Sequence, residues 1–543
     1  MKKIFVLAAL SLAMMPAAAQ DTYENARLLG SDLNGTARYV GMGGALEALG
    51  ADISTISTNP AGIGLFRHSN VSLSFGLVSQ QDCKDFDNLG KTNMSFDQAG
   101  FVYSNAYTGG SSYLNFAFNY HKSRNFDQIL SAANSMRMAS MSKLAFAKGT
   151  KDNDNNGGYY WDTNSNNEII GWRNQTSNER AWQYTQWDYL YFNAINYDQR
   201  EKDALFVEAD AYDFNRAHRG WISDFDFNLS GNINDRVFLG LTIGIHNVNY
   251  KGVSEYSENI IAADGHNRGV LTLADERKIT GNGVDVKVGG IFRPFEDSPF
   301  RFGLSIATPT WYDLKSENWT YIYNYTDANW GYDKGYSGNL YEFKYYTPWK
   351  FGFSLGHTIG SEVALGASYE FTDYSASDAR IRDGYDYYGN PDSYSDREMK
   401  SNTEKSLKGA HLLKLGAEIK PDPSFAVRLG YNYLSPTYSK NGYRDTQLNS
   451  ELNMYASTAD YTNWEDTHRL TCGVGYKYEH LNIDLAYQYS TTKGQFYPFQ
   501  PNVEFIDPKP DINGNTIYET NISTPTDVSN KRHQVLMTLT YTF

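Results

Sequence analysis

From Val71 to the C-terminus, apolar residues recur at every second position. Val71, Leu73, Phe75 and Leu77 alternate with Ser72, Ser74 and Gly76, and Val237, Leu239, Leu241, Ile243 and Ile245 form the longest aliphatic row. Further rows run through Leu114–Tyr120, Phe225–Leu229, Val284–Val288, Phe302–Ile306, Phe351–Leu355, Val363–Tyr369, Leu413–Ile419, Phe425–Tyr433, Leu470–Tyr476, Leu481–Tyr489 and Val535–Phe543, with a weaker one at Ala99–Tyr103. Period two is the signature of strands with one apolar face. About fourteen such strands are counted, an even number, and their connections alternate in length. Short turns fall near Thr108, Gly231, Gly356, Lys420 and Tyr478; long segments separate them, the largest spanning about 123–220. Short turns at one end and long loops at the other predict an all-β fold, a transmembrane antiparallel β-barrel whose short turns are periplasmic.

The start of the chain reads differently. Lys2 and Lys3, an apolar run from Ile4 to Met15 and Ala17-Ala18-Ala19 make a secretory signal peptide over 1–19, placing the exported N-terminus at Gln20. No later run approaches the ~20 apolar residues of a membrane helix. The mean hydropathy of −0.55 is compatible with a barrel, which shows lipid only every second residue. With 43 Tyr, 29 Phe and 10 Trp, the chain is well supplied for aromatic girdles. A net charge of −14 argues against a nucleic-acid partner. Cys83 and Cys472, in a loop and a late strand, are expected as free thiols.

The largest loop carries two helical patterns. One runs through Phe126, Ile129, Leu130, Ala133, Met136, Met141, Leu144 and Ala145; the other lies in the aromatic stretch from Asn178 to Asp198. They are expected to pack over the barrel mouth or to form an apolar groove for a ligand. Catalytic signatures are missing: the ten histidines are scattered, neither cysteine sits in C-x-x-C, and no phosphate-binding glycine loop occurs. No enzyme, cofactor or resident metal is therefore expected. Asp152, Asp154, Asn156 and Gly157 begin like a calcium loop, but its twelfth position is Thr163 instead of Glu, and the Asp511 string is a similar fragment. Both read as solvated turns. If the apolar rows face lipid, Asp285, Lys287, Arg301, Lys414, Glu418, Arg428 and Asp484 face the lumen. The basic four, Lys287, Arg301, Lys414 and Arg428, are candidates for a ligand headgroup or for holding a plug. Leu241, on lipid, should tolerate charge worse than its lumen neighbour Thr242.

Between signal peptide and first strand lies "ARYVGMGGALEALGADISTISTNPAGIGLF", Ala37 to Phe66. Its glycines permit close packing and Pro60 fixes the backbone, which suits a compact plug. The Gly-rich lead followed by Asn59-Pro60-Ala61 just before strand one resembles the N-terminal hatch of the FadL-type outer-membrane transporters of long-chain fatty acids and toluene. "GNGVDVKVGGIFRP" from Gly281 and "FRFGLSIATPTWYDL" from Phe300 are similar to that family's mid-barrel strands. The resemblance implies a hatch over 20–67 inside a barrel over 68–543, with Asn59, Pro60 and Ala61 as the hatch motif. It also implies passive uptake of hydrophobic or amphipathic small molecules, long-chain fatty acid-like, through the plugged barrel in the outer membrane of a Gram-negative-type bacterium. Release would be sideways at a kinked strand, though no glycine interrupts the third strand, Leu114 to Tyr120, to make the kink. Partners implied are the ligand, outer-membrane lipid and the barrel-assembly machinery, which would read the last strand ending in Phe543. Two other readings stay open: a receptor for haem or another apolar ligand on the same scaffold, and a surface adhesin or structural barrel.

Overall fold

The computed structural model describes residues 21–106, 112–149, 160–163, 165, 169–173, 175–176, 179–180, 184–262, 264–328, 330–385, 389, 391–507 and 513–543. The signal peptide, the Asp152–Gly157 string, and Asp511 and Ile512 lie outside them.

Fourteen antiparallel strands close into one barrel. They are β1 (Asn70–Gln81), β2 (Thr92–Ala106), β3 (Tyr113–Asn125, continued by Gln128–Ala139), β4 (Glu208–Ile233), β5 (Val237–Ile261), β6 (Asn267–Phe292) and β7 (Arg301–Ala307, continued by Trp311–Thr326). There follow β8 (Lys334–Tyr346 and Lys350–Ile359), β9 (Val363–Asp373 and Asp378–Tyr385), β10 (Pro391–Ser395 and Gly409–Asp422), β11 (Phe425–Leu434), β12 (Tyr461–Tyr478), β13 (Leu481–Tyr497) and β14 (Thr526–Thr542). Closure comes from β14 pairing with β1, Thr542 opposite Asn70 and Lys531 opposite Gln81. The apolar rows face outward: on β5, Leu239 is 50 % and Ile245 41 % exposed, while Phe238, Thr242 and His246 on the opposite face are buried. Such a band is stable only against lipid. Replacing Leu241 by Arg should cost about 2–4 kcal/mol, measured by urea titration of the protein folded into bilayers. The sequence expectation for Thr242 does not carry over. Its hydroxyl donates to the Ile56 carbonyl at 3.0 Å and accepts from Asn228 at 2.9 Å, so an arginine there collides with the chain inside the barrel.

The strands are longer than the apolar rows. β4 and β6 have 26 residues and β5 has 25, against the ~9–11 that cross a bilayer. The cause is visible on β5. Up to Ile245 the apolar residues are the outward odd positions; beyond it they are the inward even ones, Val248, Tyr250, Tyr256 and Ile260, while Asn247, Asn249 and Glu255 face out. The hydrophobic phase flips where the wall leaves lipid for water. The expected 123–220 loop is therefore shorter: β3 persists to Ala139 and β4 begins at Glu208. Residues 128–139, expected as helix, are strand, and only Met141–Gly149 is helical; over so short a run the two periods are hard to distinguish. The second expected helical piece appears as Gln186–Tyr191, continued by a wider turn over Phe192–Asn196.

These helices and the inward residues of the tall strands make an apolar core in one mouth of the barrel, including Phe146, Trp187, Tyr191, Phe214 and Phe496. Inside it, the Lys148 ammonium pairs with the Asp188 carboxylate, both fully buried. Asp188 also completes the capping box of its helix with Thr185. Glu258 on upper β5 is fully buried nearby. It accepts from the Met141 amide at 2.6 Å and the Tyr256 hydroxyl at 2.7 Å, and desolvation pushes its carboxyl up to about 7 from an ordinary 4.5. A carboxyl raised on folding stabilises most below pH 4.5 and loses that contribution as pH climbs to about 7. The mouth should therefore weaken by about 3 kcal/mol over that interval. Protection factors of the Met141–Gly149 amides, which remove the intrinsic pH dependence of exchange, should fall correspondingly, and Glu258→Gln should flatten their profile. Cys83 and Cys472 are free.

Candidate functional site

Residues 21–66 lie inside the barrel, buried along most of their length. The segment consists of short helical turns, four of them with a side-chain cap. Asp21 caps Thr22–Asn25, Thr36 caps Ala37–Gly41, Asp52 caps Ile53–Ser57, and Asn59 caps Pro60–Leu65 by accepting from the Ala61 amide at 3.2 Å. A backbone this irregular must find partners within the protein once water is excluded, and the wall supplies them. Ser230 donates to the Pro60 carbonyl at 2.8 Å. Asn115 donates to the carbonyls of Ile63 and Phe66 at 2.7 and 3.0 Å. Thr538 accepts from the Ala37 amide at 2.7 Å.

The wall also makes room. Eight consecutive strands, β5 to β12, each place one glycine against the segment: Gly240, Gly289, Gly303, Gly356, Gly366, Gly416, Gly430 and Gly473. A Cβ on Gly240 would lie 2.5 Å from the Ala61 nitrogen, and one on Gly366 would run into the Ala45 carbonyl. Asn59 is wedged between Gly289 and Gly303, which places Asn59-Pro60-Ala61 at the tightest contact with β5–β7.

Of the four basic residues singled out in the sequence, two reach the inner segment directly. Lys414 pairs with Glu47 at 2.6 Å, and Arg301 donates to the Leu49 carbonyl at 3.1 Å. Arg428 binds Glu418 at 2.6 Å and Asp484 at 2.5 Å, and Glu418 also holds Arg38 of the segment at 3.1 Å. Lys287 lies among carboxylates of the wall, 2.9 Å from Asp285 and 3.2 Å from Asp226. All four have protein partners. Higher up, Arg444 ties down Asp21 at 2.5 Å and Glu24 at 3.3 Å, and Arg277 also pairs with Glu24.

Between the first turns of the segment and the wall lies a cavity of about 220 Å³. Its walls combine aromatic faces (Tyr23, Phe126, Tyr374, Tyr438) with the guanidinium groups of Arg27, Arg124, Arg216, Arg469 and Arg532. Most of these are committed: Arg27 to the Tyr250 hydroxyl at 2.8 Å, Arg124 to the Leu29 carbonyl at 3.0 Å, Arg216 to Asp460 at 2.7 Å, Arg469 to Asn432 at 2.7 Å. Arg532 is the least so. Its nearest carboxylate, Asp32, is 3.9 Å away, and its buried Nε has no hydrogen-bond partner. Alternation alone does not single out these arginines, since Arg27, Arg124, Arg216 and Arg532 lie outside the apolar rows and Arg469 at the edge of one.

The cavity reaches the wall at a break in β3. Phe126 and Asp127 interrupt the strand there, and both line the cavity. The glycine sought in β3 is in its neighbour: Gly220 of β4, with φ +103°, accepts from the Phe126 amide at 2.9 Å. Beyond the break β3 has lost β2, whose pairing stops at His121. The Gln80 side chain takes over, exchanging bonds of 2.7 and 2.8 Å with the Ile129 backbone.

No family model matches the sequence, and no curated protein matches it. Solved structures do. A FadL homologue of Pseudomonas aeruginosa is 12% identical, over 94% of this chain and 99% of that one, with a TM-score of 0.46. The toluene transporter TbuX of Ralstonia pickettii is 11% identical over the same shares, with a TM-score of 0.45. The toluene transporter TodX of P. putida is also 11% identical over those shares, at 0.43.

Proposed function

We propose that the protein is a passive outer-membrane transporter for amphipathic small molecules with an apolar body and an acidic head, long-chain fatty acid-like in character. The observation that carries this reading is the cavity between the inner segment's first turns and the wall. Its aromatic faces offer burial at ~25 cal/mol per Å², and Arg532 offers a half-buried guanidinium held loosely, by the Asn125 carbonyl at 3.5 Å and Asp32 at 3.9 Å. The inner segment acts as a hatch, held by Lys414, Arg301 and the Arg38–Glu418–Arg428 cluster. The break in β3, bridged by a side chain instead of a strand, is the proposed exit toward the bilayer.

A long-chain carboxylate should bind the purified protein more tightly than the alcohol of equal length. Arg532→Gln should weaken the carboxylate by about 10-fold or more, the value of a charge-assisted hydrogen bond, and leave the alcohol unchanged. Tryptophan quenching by brominated analogues measures both. Equal affinities for acid and alcohol would overturn the acidic head. Binding of neither would overturn uptake and favour a surface or structural role.

A further inference from the structure

Six ionisable side chains on four adjacent strands close a ring inside the barrel, beside the inner segment. Asp226 faces His121 at 3.5 Å, His121 faces Asp224 at 3.7 Å, and Asp224 meets His246 at 2.7 Å. His246 meets Asp285 at 3.1 Å, Asp285 meets Lys287 at 2.9 Å, and Lys287 returns to Asp226 at 3.2 Å. All six are buried. Space for the ring is made by Gly244: a Cβ there would lie 2.7 Å from the Lys287 ammonium, 2.9 Å from Asp226 Oδ1, and would run into Asp285 Oδ1. Neighbours outside the ring are Ser123, which donates to Asp224 at 2.8 Å, and Asn119, whose amide nitrogen is 3.4 Å from His121 Nδ1.

The ring is not uniform. Four of its six links are within ordinary hydrogen-bond or ion-pair length; the two at His121 are longer. The contact to Asp226 is made by His121 Nδ1 and that to Asp224 by Nε2, and at 3.5 and 3.7 Å both are too long for good hydrogen bonds. One donor atom each of His121, Asp224 and Asp226 lies within 4.8 Å of the others, so small side-chain rotations bring all three onto one ion. Asp226 Oδ2, fully buried and turned to this gap, has no hydrogen-bond partner. Lys287 does not occupy the gap, because it contacts Oδ1. A mixed imidazole and carboxylate donor set suits zinc-class ions better than calcium or magnesium. His246, hydrogen-bonded to Asp224, fits the supporting partner that metal-bound groups usually have.

We propose that His121, Asp224 and Asp226 form a binding site for one zinc-class divalent cation inside the barrel, supported by His246. The test uses the full-length protein in detergent, stripped with EDTA and desalted. Wild type should then retain one Zn²⁺ per chain through gel filtration, and Co²⁺ should give the visible d–d absorption of a site with nitrogen and oxygen ligands. His121→Gln and Asp226→Asn should abolish both signals. His246→Gln should weaken binding about 10–100-fold, as losses of outer partners do. X-ray absorption on zinc-loaded wild type, which needs no variant to fold, should show one imidazole in an otherwise oxygen shell. Failure of stripped wild type to hold Zn²⁺, undiminished stoichiometry in the His121 and Asp226 variants, or a shell with several imidazoles or none would overturn the site.

Discussion

Removing Asp21 to Gly64, with the signal peptide retained, should give a barrel that folds and conducts ions steadily in planar bilayers. The intact protein should show little or no steady current. Strand pairing of the wall starts at Asn70 and is closed by β14, so the deletion takes away no inter-strand hydrogen bond. What it takes away is the filling. A barrel of fourteen strands is too wide for its own side chains to fill, and its lumen positions here are small: eight glycines on β5–β12, Ala117 on β3 and Ala486 on β13. The charges that held the segment, Lys414, Glu418 and Arg428 among them, would pass from protein partners to water and line a wet channel. A steady conductance in the intact protein would make it an open porin and end the hatch reading. A silent deletion barrel would place the seal in the apolar core of the barrel's mouth.

The barrel was legible in the sequence because its lipid face obeys one rule over fourteen strands. Every row from Val71 to Phe543 lies on a strand, and the rows' outward side is the exposed one. What escaped notice is the part of the wall above the bilayer. There the apolar residues move inward, as at Val248, Tyr250 and Ile260, so a scan for the lipid-facing phase reads the same strand as loop. The far halves of β7 and β8, Trp311–Thr326 and Lys334–Tyr346 beyond Pro309 and Pro348, stay hidden for a second reason, since proline interrupts the pattern that defines a strand. Inward orientation of the charges was also legible, because alternation dictates it. Their partners were not. Glu47 and Lys414 stand far apart in sequence, as do His121 and Asp285. Strand register brings His121 and Asp285 into one ring, and packing of the inner segment against the wall brings Glu47 to Lys414; neither is encoded by local spacing. The kink in β3 shows the same limit, since its glycine belongs to the neighbouring strand.

Enlarging the wall glycines should unseat the hatch while leaving the barrel intact. Gly366→Val and Gly240→Val put branched side chains where the Ala45 carbonyl and the Ala61 nitrogen now lie. Both glycines are in paired strands with ordinary backbone angles, Gly366 opposite Gly356 and Gly416, Gly240 opposite Ser230 and Gly289. Valine suits a strand, so the wall itself is not strained. The strain falls on the segment. Overpacking of this kind costs about 1–3 kcal/mol, and the segment can relieve it by moving away from the wall, at the expense of the Lys414–Glu47 and Ser230–Pro60 contacts. Each variant should therefore keep the heat-resistant gel mobility of the folded barrel but show flickering ion conductance. A cysteine placed at Ala45 should become reactive to a water-soluble maleimide at least ~10-fold faster, the rate expected if ~1.4 kcal/mol of seating energy is lost. Gly231→Ala on β4 is the control, because a Cβ there meets only the Tyr113 carbonyl at 3.9 Å. If the valine variants stay closed and Ala45 stays protected, the glycine girdle does not set the fit between hatch and wall, and the polar contacts alone must hold it.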